Sequence, residues 1–135
     1  VDWYYISALE GHSVGPGAFE PEIPFPEFDT FEPEQRAADQ RLIAVCEDLD
    51  EKALSKTIEM VRANRIQEDR VDRTLLHLFG HQIHHRDQIH AMLSGTDVAP
   101  PQLDEFFLGD AVEQNFRAAD FTALGFDEAL IWRDL

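Results

Sequence analysis

Apolar residues recur along this chain mostly at helical spacing, with Gly and Pro marking where each run stops. Residues 1–9 carry Trp3, Tyr4, Tyr5, Ile6, Ala8 and Leu9 and read as helix from the first residue. Gly11 suits the left-handed position that closes a helix. No Ser, Thr, Asp or Asn stands ahead of this segment as a cap, so the chain is expected to start inside a helix that is longer in its parent. A second stripe, Ala38, Leu42, Val45, Cys46 and Leu49, falls at i, i+4, i+7, i+8 and i+11 and predicts a helix over residues 33–49. Pro33 fits its first turn, where a missing N–H has no partner to lose. The longest run covers residues 71–94. Asp69 or Asp72 can cap it, Gly95 closes it, and Pro100 and Pro101 forbid its continuation. Residues 111–124 read as a helix ended by Gly125, and residues 127–132 as a short last one. Between these, the apolar and aromatic segment 103–108 is predicted to lie across the other helices.

The connections are less regular. Residues 11–30 carry Gly15, Pro16, Gly17, Pro21, Pro24 and Pro26, which break any period. Phe19, Phe25 and Phe28, with Phe31 just beyond, suggest a loop pinned to the body of the protein. Its acids Glu20, Glu22, Glu27 and Asp29 read as a solvated face rather than a ligand site. Residues 54–69 are ambiguous: β-branched Thr57, Ile58 and Val61 with Ala63-Asn64 favour a hairpin, and a helix over residues 54–61 is the alternative. Cys46 lies on the buried stripe of its helix and is expected to be structural, because burial raises a thiol's pKa.

Charge narrows the function classes. There are 11 Lys+Arg against 27 Asp+Glu, a net of −16. A surface that acidic repels phosphate backbones and anionic lipid, which argues against nucleic-acid and membrane partners. No apolar run approaches the roughly 18 residues of a membrane span. A single cysteine allows neither an internal disulfide nor a Cys-rich zinc module, and it fits a reducing, cytoplasmic setting. With 44% hydrophobic residues and ten Phe, the 135 residues are expected to form one domain, 1–135, around one core.

Candidate chemistry is concentrated in the longest helix, which holds His77, His81, His84, His85 and His90. At about 100° per residue, with His77 at zero, His81 falls at about 40°, His84 at about −20° and His85 at about 80°. The apolar set of Leu75, Leu78, Phe79, Ile83, Ile89 and Leu93 spans about 100° to about 240°. His81 and His85 therefore stand where the two arcs meet and are expected to face the interior at its wetter edge. Imidazoles at i and i+4 can share one ion at about 2.0–2.1 Å, and neutral imidazole suits zinc, nickel, copper or iron. The rival reading is a polar, His-rich face that holds no metal. His90 falls in the apolar arc and reads as structural, and His12 as a solvated loop residue.

The stretch Leu75-Leu76-His77-Leu78-Phe79-Gly80-His81-Gln82-Ile83-His84-His85-Arg86-Asp87-Gln88 resembles the DinB (damage-inducible) family motif, in which His, three residues and a second His run into Arg-Gly-Gln. Residues 99–107 resemble a stretch in one bacterial branch of that family, and residues 1–11 its second helix. The resemblance implies an all-α, up-and-down four-helix bundle, here lacking its first helix, with a three-histidine metal site. Two of those ligands carry over to His81 and His85. The third comes in the family from just upstream of residue 1, and residues 1–11 hold no histidine. Asp87 replaces the family's Gly, a locally favourable change because Gly is the poorer helix former.

Relatives of this fold include transferases and isomerases that use low-molecular-weight thiols, so the resemblance implies a metal-dependent enzyme, with zinc or nickel as cofactor and a small-molecule substrate such as a thiol. The alternative is a non-catalytic helical stress or binding protein with a structural or adventitious metal. An uncovered apolar face also leads to the expectation of a homo-oligomer, with water, His77 or a partner's group completing the ion's shell.

Overall fold

The structure is a computed structural model, and it describes residues 1–100, 111–125 and 127–131. It is mostly helical with one small sheet. Two compact units are distinguished, Val1–His85 and Arg86–Leu135.

In the first unit, α1 covers Asp2–Leu9. The side chain of Val1 gives it no cap, and Asp2 in the first turn complements the helix dipole instead. Its end is a Schellman turn: His12 N–H donates to Ser7 O (2.9 Å) and Gly11 N–H to Ala8 O (3.1 Å), with Gly11 at φ 88°. After a short 3₁₀ turn at Pro16–Phe19, α2 runs Phe28–Glu47 and starts five residues earlier than its apolar stripe predicts. Pro33 thus lies inside it and forgoes one helical hydrogen bond. The start holds because Glu27 O accepts from Thr30 N–H, Phe31 N–H and the Thr30 hydroxyl. A single turn, α3 at Glu51–Leu54, follows; Asp50 caps it by accepting from Ala53 N–H at 2.6 Å.

The ambiguous stretch is the hairpin. Strands β1 (Thr57–Val61) and β2 (Ile66–Arg70) pair antiparallel from Thr57↔Arg70 to Val61↔Ile66. Arg62 N–H donates to Arg65 O at 2.8 Å across the Ala63-Asn64 turn. At Val61, the N–H donates to Ser13 Oγ (2.9 Å) and the carbonyl accepts from the Tyr4 hydroxyl (2.8 Å), so the hairpin is fastened to α1 and its following loop. Helix α4 (Val71–Leu93) begins at the residue after β2, with Val71 N–H donating to Lys56 O at 2.9 Å.

The core gathers Tyr4, Tyr5, Ile6 and Ala8 from α1, Ala38 and Leu42 from α2, Met60 from β1, and Val71, Leu75 and Leu78 from α4. Full burial of a side chain such as Leu78 contributes roughly 1.5–3 kcal/mol. Two pins on the loop form as the sequence suggests: Phe25 meets Trp3 edge-on at 5.3 Å and Phe19 meets Tyr4 at 5.1 Å. Phe28 and Phe31 do not join them; both are exposed on the first turns of α2.

One further expectation is corrected. Cys46 is exposed. It sits about 80° round the helix from Ala38, whereas Leu42 and Val45 lie within about 40° of it, and Leu49 falls beyond the end of α2 at Glu47. Its neighbours still withdraw enough water from the sulfur to push the thiol pKa up. On α4 the apolar arc is only partly used: Leu75 and Leu78 are buried, while Phe79, Ile83 and Ile89 are exposed. Tyr5 packs on His77 and Asp2 binds Gln82, so within the first unit α1 runs antiparallel to α4.

The second unit holds the end of α4, then α5 (Ala111–Leu124) and α6 (Glu128–Ile131). Gly125 at φ 74° ends α5, and Asp127 caps α6 through Ala129 N–H at 3.0 Å. The buried Arg117 guanidinium donates to Glu128 Oε1 and lies 5.7 Å from the Phe121 ring. The predicted segment 103–108 and the family-like residues 101–107 lie outside the described residues, as does Trp132. Among the described residues, no helix is long and apolar enough to cross a membrane.

Candidate functional site

Helix geometry brings the histidines together. On α4, His81 and His85 stand one turn apart with ring centroids at 4.4 Å and Nε2 atoms 3.3 Å from each other. That spacing suits a shared proton, one ring donating to the other when their tautomers differ. It also suits a shared ion: two nitrogens at about 2.0–2.1 Å from a tetrahedral centre lie about 3.3–3.4 Å apart. The separation of the two nitrogens thus matches the distance between two corners of a zinc-type site.

His81 is half-buried and His85 exposed. His81 has its pKa lowered, first by loss of water, then by the neighbouring His85 and His77, with Asp2 opposing. The effect is to keep the ring neutral and its lone pair available. Asp2 is placed by Gln82 Nε2, which donates to Asp2 Oδ2 at 3.1 Å, and by Gln35 Nε2, which donates to the same oxygen at 3.4 Å and to Asp39 Oδ1 at 2.9 Å. One carboxylate thereby ties α1, α2 and the histidine helix.

The other histidines divide. The His77 ring packs on Tyr5 at 5.1 Å and stands 6.2 Å from His81. The His84 ring lies 5.2 Å from His85. His90 is half-buried and belongs to the second unit, and His12 is exposed on the loop beside Glu10 at 3.3 Å. Asp87 is exposed. Among the described residues no third His, Cys, Asp or Glu joins the pair in a cluster able to hold a metal ion.

Asp2, Tyr5, Gln82 and Arg62 are the residues that sequence reasoning passed over. Asp2 and Tyr5 share a face of α1 at i and i+3, a spacing visible in the sequence, but nothing local says that this face meets the histidines. Arg62 comes from the hairpin turn. Its guanidinium lies 4.8 Å over the Tyr4 ring and 5.8 Å from the Tyr5 ring, and it donates to Gln67 Oε1 (3.1 Å) and the Tyr5 hydroxyl (3.4 Å).

A family model described as DinB family matches residues 5–115. No curated protein and no solved structure matches the chain.

Proposed function

The chain belongs to the DinB family, and on that premise we propose that it is a metal-dependent enzyme acting by thiol-dependent group transfer or isomerisation, with His81 and His85 as ligands of a zinc or nickel ion in a four-helix bundle. The observation that supports this reading is the 3.3 Å separation of the two Nε2 atoms, which equals the ligand–ligand distance expected across a tetrahedral zinc site. A divalent ion held there supplies a Lewis acid that lowers the pKa of a thiol or water. The chain's own part is to present neutral imidazole. Partial burial of His81 disfavours its proton, and Asp2, anchored by Gln35 and Gln82, limits how far that goes. Asp2 is thus a positioning residue with an electrostatic effect on one ligand.

Elemental analysis of untagged protein tests the reading. About one zinc or nickel per chain is expected after dialysis without chelator, with thiol consumption by an electrophile only in the loaded protein. Stoichiometric metal without any thiol chemistry would favour a structural ion in a non-catalytic binding protein, and no retained metal would end the proposal.

A further inference from the structure

Large apolar side chains of α4 stand open to solvent on one stripe: Leu76, Phe79 and Ile83, exposed by 75%, 41% and 58%. With His77 at zero on the helical wheel they fall at about 260°, about 200° and about 240°. Leu75 and Leu78, which α4 contributes to the core, fall at about 160° and about 100°, and the histidine pair at about 40° and about 80°. The stripe is therefore a face of its own, turned away from His81 and His85 and unused by the core of the first unit. Contiguous exposed apolar side chains of this size mark an interaction surface.

Gly80 lies in the middle of it. A glycine weakens the interior of a helix, and a Cβ built at Gly80 meets nothing within 4 Å, so packing within the chain does not call for its missing side chain. Leu76, Phe79, Gly80 and Ile83 stand at i, i+3, i+4 and i+7, the corners of the hole into which a side chain of a facing helix inserts. A hydrogen atom at one corner deepens that hole. Phe79, on its rim, is itself a bulky knob on the same stripe.

Knob and hole in one set of residues make the surface complementary to itself, which is what a two-fold interface requires. We infer that this face of α4 docks a second copy of the chain, α4 against α4 in antiparallel sense, with the Phe79 ring of each copy seated over Gly80 of the other. Leu76 then meets Ile83 of the other copy. Charge selects the direction. Asp72 and Arg86 stand two heptad halves away on the same helix, seven residues before and seven after Phe79, at about 220° and about 180°. Antiparallel pairing brings each against the opposite charge of the other copy, whereas parallel pairing sets like against like. Asp72 also holds Arg70 at 2.6 Å, so this pair adds little and the knob in its hole supplies most of the contact. The interface is independent of what the histidines bind.

Sedimentation equilibrium of the full chain tests the interface. The wild type should be a dimer at high micromolar concentration. In a sample mixed from isotope-labelled and unlabelled chains, intermolecular NOEs should join the Phe79 ring to the Gly80 Hα. Gly80→Gln fills the hole with a polar side chain on a better helix former, so dimerisation should weaken by about tenfold or more while the helical circular dichroism is kept. Arg86→Glu, at an exposed position, should weaken it by about threefold and by less at high salt. A chain that sediments as a monomer overturns the proposal: a Phe79 ring open to a soluble paramagnetic probe would leave the face to a different protein, and a shielded one would show that another segment of the same chain covers it. A dimer of unchanged affinity in Gly80→Gln, or one without the Phe79–Gly80 contact, overturns it as well.

Discussion

Gln82 and Asp2, eighty positions apart, are joined by a hydrogen bond of 3.1 Å from the amide nitrogen to the carboxylate. It places a negative charge where His81 feels it, against the loss of water and the two neighbouring imidazoles that depress the ring's basicity. The helix pair α1 and α4 is thereby tied electrostatically as well as by packing.

Replacing Asp2→Asn leaves an oxygen for Gln82 and removes the charge. The His81 pKa, already depressed, is expected to fall further, as followed by imidazole NMR across the acid range. The sign for stability follows from the direction. Neutral His81 contributes fully above its unfolded value of about 6.5, and the contribution is lost as pH falls through the lower folded value. The variant should therefore lose more stability in mild acid than the wild type. An upward or absent shift in His81 would show that Asp2 does not act on it.

His81→Ala or His85→Ala should weaken zinc binding by at least about tenfold, since even partners one step removed from an ion cost that much. His90→Ala should leave it unchanged. Imidazole must be neutral to ligate, so occupancy in the wild type should fall below about pH 6. Equal metal content in all three variants, or occupancy that stays flat well into acid, would place the ion on other groups.

Glu10 and Arg41 form the firmest ion pair of the first unit, with Arg41 Nε 2.9 Å from Glu10 Oε1 and Nη2 2.6 Å from Oε2. The hydrogen bonds from Arg41 hold the Glu10 carboxyl below its usual pKa, despite the opposing effect of burial, with His12 adding to the lowering. A depressed carboxylate stabilises above its unfolded value and loses that contribution as pH falls through the folded one. Glu10→Gln should cost about 1 kcal/mol at neutral pH, a figure at the upper end for a pair with Arg41 this open to solvent. In strong acid, where Glu10 is protonated, the cost should vanish. Urea unfolding at both conditions decides it, and a cost independent of pH would refute the electrostatic account.

Periodicity carried the helices because their buried faces repeat within a few turns. Leu75 and Leu78 mark the packed side of α4, and Gly11 and Gly125 end α1 and α5 at positive φ. The hairpin was legible from β-branched residues around Ala63-Asn64. The early start of α2 was not, since Pro33 looks like a first-turn residue until Glu27 and Thr30 are seen to hold the turns before it. Nor could a stripe distinguish its centre from its edge, which is why Cys46 was assigned to the interior. At the site, the i, i+4 histidines could be read locally. Asp2, Tyr5 and Arg62 could not, because their partners lie dozens of residues away and only the tertiary fold brings them together.

Helix α4 starts where β2 stops, with no residue between Arg70 and Val71 to absorb a change of length. Strand and helix are therefore geared at one tooth. Inserting a single residue at that seam would turn every side chain of α4 by about 100° relative to the hairpin. His81 and His85 would keep their mutual spacing, since both move together, yet they would swing away from Asp2, and His77 from Tyr5. Natural variation in length is thus expected to accumulate in the proline-rich stretch between α1 and α2, where slack exists, and to avoid the Arg70–Val71 seam, where it would put the histidines out of phase with everything that faces them.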